Sequence, residues 1–178
     1  MKATNRKRRK KKSKQTIKPA TLAVLFVIIL ISGYYIAQIV HQNFFNQVDI
    51  VLDAGHGGND PGAVHEDVLE KEITLEITRM TKELLKESGY TVGMTRNNDS
   101  FIELGERATY ANRRNAKVFI SIHCNASENS SGNGIETFYS KSKELNNNIL
   151  AEMIQNAVIE QTEASNRGIK TENYTVLV

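Results

Sequence analysis

Three side chains far apart in the sequence have the types that hold a hydrolytic metal ion: His56 in VLDAGHGGND, Glu70 in VLEKEITL and His123 at the end of KVFISIH. Two imidazoles and one carboxylate leave one position of a tetrahedral zinc ion open for water, which is the ligand count of a hydrolytic site and not of a structural one. Zinc in such a setting lowers the pKa of its water toward about 7 and polarises a substrate carbonyl. The glycines around His56 suggest a rival chemistry, a cradle for phosphate, which the neighbouring residues exclude. A Walker-type loop needs Lys and then Ser or Thr after its last glycine, and neither follows Gly58. The dinucleotide fingerprint fails at its third glycine, because counting from Gly55 that position falls on Asp60.

On residue type alone each of the three has an alternative. Asp67 and Glu70 fit D-x-x-E before an apolar helical run, a relative of the capping box in which Glu70 would satisfy a backbone N–H. His56 could be a loop histidine bonded to a nearby carbonyl, and His123 a structural residue at a strand end. His65 and His41 have no strand-end placement. Cys124 follows His123 directly, so in an extended chain it points to the opposite face, away from a zinc-thiolate role. Glu136, in GIETFY, either lines the same edge or faces solvent.

The elements that must position these residues alternate. VDIVLDA (48–54) reads as a buried strand ending in a glycine turn. Leu69, Ile73, Ile77, Met80 and Leu84 recur at helical spacing and SGY (88–90) ends that helix. YTVGMT is a second strand, Glu103 to Asn115 a second helix, and KVFISIH a third strand. GIETFYS follows as a strand, Glu144 to Gln161 as a long helix, and YTVLV (174–178) as a last strand. This alternation predicts an α/β fold with a mostly parallel, twisted sheet and helices on both faces, in which ligands gather at the carboxyl ends of the strands. Both histidines fall at that edge, and Glu70 heads a helix beside it.

Ahead of this domain lies a segment of different character. Ten of the 23 basic residues precede residue 19 with no acid among them, leaving 13 bases against 20 acids, a net charge of −7, for the remainder. The basic charge is therefore not on the folded part, which argues against a nucleic-acid partner. Residues 20–40 contain no Asp, Glu, Lys or Arg and at about 1.5 Å per residue span about 30 Å, the thickness of a bilayer core. The expected organisation is a basic cytoplasmic tail (1–19), a single transmembrane anchor (20–40), a linker (41–47) and an extracytoplasmic domain (48–178). SGYYIAQIV offers no clean small-x-small cleavage site, so the anchor is expected to stay attached. The single cysteine leaves no disulfide within the chain.

From Val48 onward the chain resembles the zinc-dependent N-acetylmuramoyl-L-alanine amidases of type 3. The resemblance rests on IVLDAGHGGNDPGA, LEKEITLEIT, TRNNDSFIELGERATYAN, FISIHCNAS, GIETFY and NRGIK, in that order. It implies that His56, Glu70 and His123 bind Zn2+ and decides against a purely capping role for Glu70. It further implies cleavage, in peptidoglycan, of the amide between N-acetylmuramic acid and L-alanine, by a domain tethered beside its substrate. Members of the family continue past the segment matching NRGIKTENYTVLV with an E-x-G-F-x-x-N strand, whose glutamate is the general acid or base, and a closing helix. This sequence ends at Val178, so the catalytic carboxylate is expected beyond it, and the 178 residues alone are expected to hold zinc and turn over little. Within them Glu136 is the nearest replacement. The alternative function is a truncated, non-catalytic, membrane-tethered remnant that binds zinc and peptidoglycan.

Overall fold

The computed structural model describes residues 18–45, 47–125, 133–141 and 146–177. The chain divides into two units, 1–41 and 42–178. In the first, helix α1 (Pro19–Phe45) contains the stretch Pro19–His41, 23 residues long and apolar enough to cross a membrane, with every described side chain exposed. The helix runs on through positions expected as linker, since no Gly or Pro interrupts 41–45.

The second unit is organised round β1 (Ile50–Ala54), whose residues Val51 to Ala54 are completely buried. It is flanked by β4 (Val92–Met94) and β5 (Val118–Ile122) in a parallel sheet of order β4-β1-β5, with Ile50 opposite both Val92 and Val118. Between β1 and β4 the chain forms a small antiparallel ribbon, β2 (Val64–His65) with β3 (Val68–Leu69), and then helix α2 (Glu70–Glu87). Helix α3 (Leu104–Arg113) connects β4 to β5. The two crossovers leave β1 and return past it in opposite directions, so right-handed connections place α2 and α3 on opposite faces of the sheet. A second parallel pair, β6 (Ile135–Tyr139) and β7 (Asn166–Thr171), is joined through helix α4 (Asn147–Thr162), which packs on both strands.

Two features differ from the sequence reading. Helix α2 forms where the periodicity predicts, but the residues it buries are Glu70, Thr74 and Thr78, while Ile73, Ile77, Met80 and Leu84 stay 36 to 65% exposed. The buried hydroxyls have partners, Thr74 bonding the Gly55 carbonyl at 2.9 Å and Thr78 the Thr74 carbonyl at 2.6 Å, and these short side chains let the helix start lie close to the β1 turn. The segment YTVLV also departs from the expected strand. Its β-branched residues suggest a strand, yet Thr175–Leu177 form a 3-10 turn beside α3, with the Tyr174 ring edge-on to Phe138 at 5.2 Å. The last strand is instead NRGIKT, which polar composition hid from pattern reading and which backbone pairing with β6 supports.

Candidate metal centre

His56 leaves β1 through Gly55 in a left-handed conformation, φ 60°, which an L side chain adopts only when its surroundings hold it there. Two buried arginines supply that hold. Arg107 of α3 donates to the carbonyls of Ala54 (2.9 Å) and His56 (3.0 Å) and to the Asp53 carboxylate (3.0 Å). Arg96, after β4, donates to the carbonyls of Ala54 (2.9 Å), Gly55 (2.7 Å) and Lys71 (2.8 Å). Asp53 is fully buried and also accepts from Thr95 and Ser121, so the charge under the turn is hydrogen-bonded at both oxygens. On the other side of the glycines, Asp99 accepts from Gly58 N–H (2.7 Å) and Lys71 (2.7 Å), and Lys71 also reaches the Gly58 carbonyl (2.9 Å). Lys71, and then the Gly58 N–H, hold the Asp99 carboxyl below its ordinary pKa.

Glu70 arrives from the ribbon as the first residue of α2, where the helix dipole favours a negative charge. The capping-box bond itself is not formed, although Glu70 does satisfy backbone N–H groups. Leu69 is the N-cap, without a side-chain bond, and Glu70 accepts instead from the Ala63 N–H (2.9 Å) through Oε2 and the Cys124 N–H (2.7 Å) through Oε1. His123 follows β5. The register Ala54 opposite Ile122 brings its ring to His56, with ring centres 4.8 Å apart.

The three predicted residues thus meet. His56 Nε2, Glu70 Oε1 and His123 Nδ1 form a triangle with sides of 3.0, 3.2 and 3.2 Å. Four-coordinate zinc with ligand bonds of about 2.0–2.1 Å separates its ligands by about 3.3 Å, so the triangle has the right size and donor chemistry for such an ion. Partial burial foremost, and then the His56 ring, push the His123 imidazole below its ordinary pKa, a shift toward the neutral form that coordinates metals. Space at the centre depends on glycine. A Cβ on Gly55 would lie 2.4 Å from the His123 ring, and one on Gly62 would lie 2.6 Å from His56 and 2.8 Å from Glu70.

Pattern reading missed Asp60. Its carboxylate bonds His56 Nδ1 at 2.8 Å and accepts the Gly62 N–H at 3.1 Å, and it fixes the ring so that Nε2 faces the triangle. Burial raises the Asp60 pKa, but His56 and the Gly62 N–H outweigh it and the net shift is downward. His65 lies on the exposed ribbon, outside the cluster. Cys124 contributes its N–H, while burial and Glu70 hold its thiol above the ordinary pKa. Glu136 is not solvent-facing: its side chain is 8% exposed, bonded to Asn125, to Arg167 at 3.1 Å and to Lys170. Lys170 foremost, aided by Arg167, keeps its carboxyl low, so it is poorly suited to carry a proton.

A parallel α/β domain with a His-Glu-His cluster at the carboxyl edge of adjacent strands has the make-up of a hydrolase with a candidate metal site. Residues 50–178 match the N-acetylmuramoyl-L-alanine amidase family, and the chain belongs to it. It is 39% identical over 129 residues to the N-acetylmuramoyl-L-alanine amidase LytC of Bacillus subtilis, covering 72% of this chain and 26% of that protein. It is 37% identical over 143 residues to the probable cell wall amidase LytH of Staphylococcus epidermidis, covering 79% and 46%. The chain therefore spans less than half the length of these two relatives. Among solved structures, an N-acetylmuramoyl-L-alanine amidase from Clostridium difficile aligns with a TM-score of 0.69 and 34% identity over 74% of this chain and 73% of that one. The CwlD amidase of Clostridioides difficile, solved in complex with the GerS lipoprotein, aligns with a TM-score of 0.66 and 36% identity, covering 74% and 76%.

Proposed function

We propose that this protein is a zinc-dependent hydrolase that cleaves the amide between N-acetylmuramic acid and L-alanine in peptidoglycan. The observation that carries the reading is the convergence of His56 Nε2, Glu70 Oε1 and His123 Nδ1 within 3.2 Å of one another in a member of this family. Zinc held there would supply a Lewis acid and an activated water. The chain's own residues do the rest. Asp60 selects the His56 tautomer, the Ala63 and Cys124 N–H groups fix both Glu70 oxygens, and the two arginines hold the His56 backbone. Among the described residues no carboxylate beside the triad is free for proton transfer, since Asp60 is engaged by His56 and Glu136 by two cations.

Residues 1–19 form a cytoplasmic tail, 20–40 an uncleaved anchor, 41–47 a linker and 48–178 an extracytoplasmic domain facing peptidoglycan, supported by the charge asymmetry and the apolar helix. Metal analysis of the detergent-solubilised chain should find one zinc per molecule, lost in His56→Ala and His123→Ala. Because no described carboxylate beside the triad is free for proton transfer, release of L-alanine amino termini from peptidoglycan should be slow and should require bound zinc. Full stoichiometry in both variants would overturn the ligand set, and metal-independent release would overturn the mechanism.

A further inference from the structure

Through Asn125, two residues past His123, the triad's run of chain is linked to a charged cluster the hydrolytic reading does not use. Asn125 donates to Glu136 at the start of β6, and Glu136 in turn accepts from Arg167 and Lys170 of β7. Three positions apart on a regular strand, Arg167 and Lys170 would point to opposite faces. They share one because β7 bulges. Ile135 pairs with Asn166 but Thr137 with Ile169, so β7 spends three residues where β6 spends two, with Gly168 at φ 77°. The bulge is braced: Asn166 Oδ1 accepts from the Gly168 N–H at 2.9 Å and from the buried Gln155 at 2.8 Å, and Gln155 also bonds Ile135 and Thr137. Bulges re-aim side chains next to functional sites.

The result is two cations on one half-buried carboxylate, a cluster with net charge +1. Neutralising Glu136 needs a single partner, and the braced bulge delivers a second. Arg167 engages Glu136 through Nε, and its two terminal nitrogens have no partner among the described residues. Both cationic side chains are 42% exposed, so their heads reach solvent while Glu136 orients them from below.

We propose that Arg167 and Lys170 form a subsite for a carboxylate on the peptide side of the scissile amide, making the protein selective for acidic stem peptides. This rests on the amidase reading. An L-alanyl peptide whose second residue carries a free carboxylate would accept from the guanidinium fork and the ammonium, a charge-assisted arrangement that a carboxamide cannot match.

The test is calorimetric titration of the zinc-loaded full chain with two C-terminally amidated dipeptides, L-alanyl-D-glutamate and L-alanyl-D-glutamine. The parent is expected to prefer the acid by about tenfold, equivalent to about 1.4 kcal/mol. The preference should shrink as salt rises from 0.1 to 1 M, where the screening length drops from about 10 Å to about 3 Å. It should fall to about twofold or less in Arg167→Gln and in Lys170→Met and return in Lys170→Arg. The parent's preference and its salt dependence are read without any variant, so a misfolded variant does not decide the matter. No preference in the parent, or one unchanged in both folded variants, overturns the subsite. A parent that releases L-alanine termini from peptidoglycan yet binds both dipeptides alike overturns the subsite alone. Selective acid binding without even slow zinc-dependent release supports the subsite and counts against the amidase reading.

Discussion

Asp60 is the residue whose importance most exceeds its sequence signal. It touches the triad only through His56 Nδ1, yet it decides which imidazole nitrogen faces the centre. Losses of such partners typically lower metal affinity about 10- to 100-fold. Asp60→Asn should therefore keep the far-ultraviolet circular dichroism of the parent while zinc competition with a chelator shows a loss in that range, and parent-like affinity would refute the tautomer argument. His56, Glu70 and His123 were legible because each has a ligating type at the end or start of an element. Asp60 was not, because its role depends on a left-handed turn at His56 that folds positions 56 and 60 together, and strand or helix periodicity carries no sign of such a turn. Glu136 was legible as a group near the edge. Its role was not, since the two cations that engage it come from a bulged strand with no apolar pattern.

At the scale of elements, the β1 turn is held from behind by α3. Arg107 is 2% exposed and Asp53 fully buried, so removing the guanidinium leaves a buried carboxylate short of its cation. Breaking such a pair costs about 3–5 kcal/mol. Arg107→Met should lower the denaturant midpoint accordingly, and a change under about 1 kcal/mol would show that Thr95 and Ser121 suffice for Asp53. Gly55→Ala tests the other side of the turn. Its methyl would collide with the His123 ring, so zinc binding should fall with little change in secondary structure, and a variant that binds normally would show that β5 can give way. The three strands of the parallel sheet and the helices between them followed from alternating composition. The face that α2 turns to the sheet did not, because threonines occupy the close contact where the apolar stripe was expected.

For the whole domain, several carboxyls are held below their ordinary pKa by partners that exist only in the fold. Lys117 and Thr91 act on Asp49, Lys71 on Asp99, and Lys170 on Glu136. Depressed folded-state values give stability that is fully present above the unfolded carboxylate pKa of about 4 and is lost as pH falls through the folded values. The melting temperature of the metal-free domain should accordingly hold between about pH 5 and 7 and drop below about pH 4. A melting temperature that stayed level down to pH 3 would contradict these assignments.

The pairing of β1 with β5 also bears on how the site comes into being. His56 and His123 are 67 positions apart, and they meet only through the register that sets Ala54 against Ile122. A chain emerging from its amino end presents one histidine and one glutamate long before the second histidine exists. The full ligand set appears only after a closure of high contact order, the slow kind of folding event. On the proposed zinc reading, metal capture would be a late step of maturation, taking place in whichever compartment β5 reaches its place, and the seated ion would work as a clasp between chain segments distant in sequence. A clasp of this kind draws its stabilisation from ligand concentration, about 2.7 kcal/mol at a hundredfold excess over the dissociation constant. The durability of the folded domain would thereby be tied to the metal supply of its surroundings.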